Sequence, residues 1–100
     1  MGNPTKIWGD GEEWREMGLL HRLDGPARWW PNGRQEWYKH GAVHREDGPA
    51  IIWSSERNEW WFEGQYLGEG DKGFWKLWDC LSSEKQENFS LLQFLPSKIK

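Results

Sequence analysis

Apolar positions in this chain follow one period up to about residue 67 and another after residue 70. Ala27-Arg28-Trp29-Trp30 and Ala50-Ile51-Ile52-Trp53 are short runs of strand formers, and Gln35–Lys39 and Asn58–Glu63 are their returns. Asp-Gly-Pro, Pro31-Asn32-Gly33, His40-Gly41 and Glu63-Gly64 punctuate them, each with residues that favour turns. Asn-Gly is the strongest short hairpin signal; Ser54-Ser55-Glu56-Arg57 stands in its place in the second pair, where a looser turn is expected. Alternation sends Trp30 and Trp53 to the face opposite Ala27 and Trp29, so one face packs on the core and the other carries an aromatic ladder. After Gly68-Glu69-Gly70, Phe74, Leu77, Trp78 and Leu81 fall at i, i+3, i+4, i+7 and predict an amphipathic helix with Asp71 as N-cap. Ser83-Glu84-Lys85-Gln86 fits a capping box opening a second helix, with Phe89, Leu92 and Phe94-Leu95 on its apolar side and Pro96 ending it.

The strand segments repeat. His21, Asp24-Gly25-Pro26-Ala27, Trp30, Glu36-Trp37 and Gly41 recur as His44, Asp47-Gly48-Pro49-Ala50, Trp53, Glu59-Trp60 and Gly64, at an offset of 23 residues. Asp10–Trp14 and Gly18–His21 are fragments of an earlier copy. A tandem repeat of this length is one supersecondary unit stacked on itself. The expectation is a mainly β single domain, residues 1–100. It comprises a partial repeat at 7–20, full repeats at 21–43 and 44–67, and a helical cap at 71–95. Its sheet is an antiparallel meander of about six strands, an ordinary size. The helices lie on the sheet and close its last edge, as terminal caps do in arrays.

Composition changes the picture at two points. Mean hydropathy is −0.98, which alone would suggest disorder, but ten tryptophans provide a core of indoles instead of aliphatics. A net charge of −3 gives no electrostatic case for nucleic acid or an anionic membrane. The single Cys80 allows neither an internal disulfide nor a cysteine zinc cluster; read as a buried structural thiol, it fits a reducing cytosol. The start of the chain reads as no signal peptide, and no apolar stretch has the length of a membrane span.

Candidate chemistry centres on His21, Asp24, His44 and Asp47, two imidazoles and two carboxylates. A group present in every copy serves what every copy needs, so these residues are read as the joint between units, with no metal, no cofactor and no catalysis. Arg28, Arg34, Arg45 and Arg57 interleave with Trp29, Trp30, Trp37 and Trp60, a mixture able to stack bases. With an acidic chain the simpler reading is that Arg and Trp stack on each other and make the aromatic face soluble. Trp30, Trp53, Tyr38 and Trp61, with Arg28, are then the expected protein-contact residues. Glu12, Glu13, Glu56, Glu59 and Glu63 are acidic groups able to oppose a basic cleft.

The H-R-x-D-G-P-A phrase, with its Trp-rich hairpin and closing glycine, resembles the MORN-like repeats of bacterial and phage proteins. It is similar to the variant found in bacterial repeat antitoxins and small phage proteins. The resemblance covers residues 7–67 and is strongest at His21–Ala27 and His44–Ala50; the usual turn glycine is missing at Glu56. It implies a β-hairpin array that binds proteins or membranes, and its small phage members imply interference with a bacterial host or defence protein. The expected function is therefore a non-enzymatic binding module in the cytoplasm of a bacterial host, with a bacterial protein as partner. The alternatives are a nucleotide or small-molecule sponge and an antitoxin-like partner of a toxin. The sheet ends would also permit self-association into a homo-oligomer.

Overall fold

The computed structural model describes residues 4–54 and 56–86. Its strands are β1 (Thr5–Ile7), β2 (Gly11–Glu13), β3 (Arg15–Glu16), β4 (Leu19–Leu20), β5 (Arg28–Trp29), β6 (Gln35–Glu36), β7 (Tyr38–Lys39), β8 (Ala42–Val43), β9 (Ile51–Ser54), β10 (Arg57–Phe62) and β11 (Gln65–Glu69). A 3-10 turn at Trp8–Asp10 joins β1 to β2, and helices α1 (Gly70–Cys80) and α2 (Ser83–Gln86) follow the strands. Seven strands form one antiparallel sheet in the order β1-β2-β5-β6-β9-β10-β11, while β3-β4 and β7-β8 are separate two-stranded hairpins. No described helix is long and apolar enough to cross a membrane.

The architecture is mainly β with a helical cap, but the meander differs from the expected one because the return strands divide. Gln35–Lys39, expected as one strand, breaks at Trp37. The Trp37 N–H donates to the Ala50 carbonyl at 2.7 Å, while its own carbonyl accepts the His44 N–H at 3.1 Å. One residue thus bonds the main sheet on one side and the side hairpin on the other, and the chain leaves the sheet there. Trp14 does the same 23 residues earlier, donating to Ala27 and accepting from His21. At the third equivalent, Trp60, β10 runs on in the sheet and pays only a register shift between Trp60 and Trp61. The glycine-free turn after β9 also carries a register shift, between Arg57 and Asn58.

The hairpin tips obey one rule. Met17-Gly18, His40-Gly41 and Glu63-Gly64 all have positive φ at both residues, near +50° and then +83° or +84°. That is the signature of the type I′ turn, whose twist suits a tight hairpin.

Trp60, Phe74, Leu77 and Leu81 form the buried cluster where α1 lies across β10 and β11, with Phe62, Leu67 and Trp78 around it. A side chain at Gly73 would stand 2.3 Å from Trp60 Cδ1 and 2.5 Å from the Gly68 carbonyl, so helix and sheet meet there without a spacer. Asp71 is not the N-cap of α1; Glu69 holds that position, and Asn58 Oδ1 accepts the Gly70 N–H instead. The second helix is capped one residue earlier than expected: Ser82 Oγ accepts the Lys85 N–H at 3.3 Å. Its expected continuation through Phe89, Leu92, Phe94 and Leu95 lies outside the described residues. Cys80 is exposed on α1 rather than buried, because it falls outside the stripe of Phe74, Leu77 and Leu81.

Candidate binding surface

The repeated phrase builds a joint whose imidazole Nδ1 and arginine bonds are the same in both copies. His21 Nδ1 accepts the His40 N–H at 2.8 Å, and His44 Nδ1 accepts the Glu63 N–H at 2.8 Å. Accepting through Nδ1 places the ring proton on Nε2, which faces Glu16 at 3.4 Å in the first copy and Glu46 at 3.0 Å in the second. Each imidazole lies against a ring of the following hairpin, His40 or Phe62. The arginine that follows closes the loop. Arg22 Nε donates to Asp24 and its Nη1 to the Pro26 carbonyl, and Arg45 repeats this with Asp47 and Pro49. Each guanidinium also covers an indole, Arg22 over Trp14 at 3.9 Å and Arg45 over Trp37 at 3.8 Å. Hydrogen bonding and charge from Arg22 hold the Asp24 carboxyl below its ordinary pKa. His21, Asp24, His44 and Asp47 are therefore engaged with backbone and neighbouring side chains, and among the described residues no three metal-binding side chains converge.

The expected contact residues divide around a row of carboxylates. Glu13, Glu36 and Glu59 lie 23 residues apart, and each collects donors from two or more side chains. Arg15 and Arg28 serve Glu13; Arg34, Arg28 and Tyr38 serve Glu36; Trp53 and Trp61 serve Glu59 through their Nε1–H groups. Arg28, Tyr38, Trp53 and Trp61 thus share this row. Trp30 does not: it is 3 % exposed, and its Nε1 donates to the Trp8 carbonyl at 3.0 Å. Arg34 sits between the rings of Trp30 and Trp53, at 4.8 and 4.2 Å, so cations and indoles stack on one another along this face.

Glu13 and Glu59 are committed to this row, and Glu12 to the Trp29 indole and Lys6, which leaves Glu56 and Glu63 as exposed acids of the expected set. The signal that marks the hubs in sequence is their period: a glutamate directly precedes Trp14, Trp37 and Trp60. Burial pushes the Glu13 carboxyl up in pKa, but hydrogen bonds from Arg15 and Arg28 outweigh it, and the net shift is below the ordinary 4.5. A lowered carboxylate pKa stabilises the fold above the unfolded-state value, and that contribution disappears as pH falls through the folded one. Glu13→Gln is therefore expected to lower stability at pH 7 and to flatten its decline between about pH 5 and 3. Urea midpoints at a series of pH values measure this; parallel acid limbs for the two proteins would contradict it.

Two grooves flank the joints and are copies of each other. One, of about 220 Å³, runs between Trp14, Glu16, His21, Arg22 and Leu23. The other, of about 270 Å³, runs between the equivalents Trp37, Lys39, His44, Arg45 and Glu46. Lys85 of α2 enters the second and pairs with Glu46, and hydrogen bonds from Lys85 and His44 lower the Glu46 pKa against the upward push of burial. Trp37 Nε1, beside that groove, is buried without an acceptor among the described residues.

The three units differ most at exposed positions. Where the later ones carry His40 and Glu63, the first carries Met17, 97 % exposed. Where they carry Ala42 and Gln65 it carries Leu19, 49 % exposed; just after it Leu23, 72 % exposed, stands where Glu46 and Glu69 stand one and two repeats later. Trp8, before β2, is exposed as well. Sequence reasoning had no reason to single out these residues, since in a single reading each is an ordinary apolar residue beside a turn. No family model, curated protein or solved structure matches the chain.

Proposed function

We propose that this chain is a non-catalytic protein-binding module that blocks a bacterial host or defence protein, and that its first unit is the contact surface. One observation carries the surface: three exposed positions that are polar or small one repeat later are Met17 and Leu19 in the first unit and Leu23 just after it. Exposed apolar side chains on a hydrophilic chain mark a contact surface, and methionine is enriched at protein interfaces. The class of partner rests on the repeat's resemblance to antitoxin and phage proteins. Arg28, Tyr38, Trp53 and Trp61 make a second, more polar face, already satisfied within the chain.

The test uses the later units as a guide to harmless substitutions. Met17→Glu with Leu23→Glu, residues the copies carry at those positions, is expected to leave thermal stability within about 0.5 kcal/mol, as for ordinary surface changes. The same variant should weaken binding of a protein captured from bacterial lysate by at least about 100-fold, the loss of two hot-spot contacts. Trp53→Ala should weaken it far less. Capture that survives the double variant but not Trp53→Ala would move the surface to the carboxylate row.

A nucleotide or small-molecule sponge is the second reading. It is favoured by the groove that brings Arg22, Lys39, Arg45 and Lys85 beside the acceptorless Trp37 indole N–H. A ligand held there would raise the melting temperature with nucleotide concentration, and an unchanged melting temperature at millimolar nucleotide rejects it.

A further inference from the structure

Each joint within the chain is a short run of backbone and imidazole hydrogen bonds with a constant recipe. In the first, the Leu20 carbonyl accepts the Gly41 N–H, the His21 imidazole accepts the His40 N–H, and the Arg22 N–H donates to the Tyr38 carbonyl. In the second, the Val43 carbonyl, the His44 imidazole and the Arg45 N–H do the same for Gly64, Glu63 and Trp61. An extended apolar-His-x tripeptide is thus the piece that covers the outer edge of a hairpin.

The first hairpin, β3-β4, offers the same edge. Met17 and Gly18 occupy the positions of His40-Gly41 and Glu63-Gly64, with φ within 4° of theirs, and Arg15 occupies that of Tyr38 and Trp61. Among the described residues no acceptor meets the Met17 or Gly18 N–H. We propose that this edge binds an extended segment of the partner protein carrying an apolar-His-x sequence, which adds to β3 as the preceding unit would. The proposal rests on the protein-binding reading above and specifies its mode.

Three observations converge on that occupant. The geometry continues an interface that the chain already makes twice. Main-chain pairing at an exposed edge supplies affinity, and the side chain placed over the tip supplies specificity. Here the tip is Met17, a thioether suited to lie against an imidazole as His40 does at the same position in the first joint, where it meets His21; in the second joint His44 meets Phe62, the residue before the tip. A second copy of this chain is a poor source of the segment, because both of its His-Arg phrases are spent internally and Leu67 replaces the histidine after β10 and the third tip.

The probe is a capped peptide copying residues 19–24 of the chain, titrated into the full-length protein and followed by amide chemical shifts. The Met17 and Gly18 amides are expected to move most and to saturate together. A peptide with alanine for the histidine should bind at least about tenfold more weakly, as loss of one well-formed hydrogen bond and a ring contact implies. A peptide with asparagine there, whose Oδ1 can replace Nδ1, should keep most of the affinity. Amides of Met17 and Gly18 that stay still at millimolar peptide, or equal binding of the alanine peptide, overturn the strand mode. The contact surface is judged separately: it fails only if Met17→Glu with Leu23→Glu keeps the captured protein.

Discussion

Trp60→Ala is expected to lower stability by about 3–5 kcal/mol, the usual cost of emptying a large aromatic site in a core. A domain of this size has only about 5–15 kcal/mol to lose. Trp60 is 2 % exposed, meets Phe74 edge to face at 5.7 Å, and has Gly73 pressed against its ring. Its Nε1 donates to Asn58 Oδ1, the same atom that receives the Gly70 N–H at the start of α1. Removing the indole therefore empties the space between sheet and helix and loosens the group that starts the helix. Near-UV circular dichroism and urea unfolding measure the loss. Trp60→Phe, which keeps the ring but not the N–H, should recover more than half of it. A loss under about 1 kcal/mol for the alanine variant would mean that α1 is seated by something other than this ring.

The second large effect is expected at Arg45, and the repeat provides its control. Arg45→Lys keeps the charge but loses the fixed fork that reaches Asp47 and the Pro49 carbonyl while covering Trp37. With the Arg45 side chain only 11 % exposed, about 2 kcal/mol should be lost, the scale of charge-assisted hydrogen bonds left unmade. Arg22 makes the same bonds, but its side chain is 24 % exposed and that of Asp24 is 70 % exposed. Water can replace much of what Arg22→Lys removes, so its cost should stay under about 1 kcal/mol. Equal losses in the two variants would show that burial does not set what the guanidinium fork contributes. The pair of measurements compares one motif in two degrees of burial within a single molecule.

Much of this arrangement is legible in the residues themselves. The 23-residue offset, the glycines of the tips and the change of period after Gly70 locate the hairpins and the helical cap. What is not legible comes from tertiary hydrogen bonds. Nothing local marks Trp37 as the residue where a strand leaves the sheet, because the carbonyl of Ala50 and the N–H of His44 decide it. Alternation sends Trp30 to an outer face, yet the Trp8 carbonyl supplies an acceptor for its indole and Arg34 covers its ring. Glu13 and Glu59 read as acids able to oppose a basic cleft until their arginine and indole donors are seen around them. For the contact surface, the useful signal is a comparison between copies. Met17, Leu19 and Leu23 stand out only beside the residues that replace them one unit later.

The hairpin tips have a further consequence for how such a chain can vary. A left-handed backbone costs an ordinary side chain about 1 kcal/mol or more relative to glycine, and asparagine would reduce that cost. Met17, His40 and Glu63 all accept it at the first tip position, and they are an apolar, an aromatic and an acidic residue. Since the turn places no chemical demand on that side chain, the position can be rewritten from block to block while hinge, ladder and cap stay as they are. The scaffold thereby exposes a small row of exchangeable characters, and each is displayed at the expense of a little folding energy.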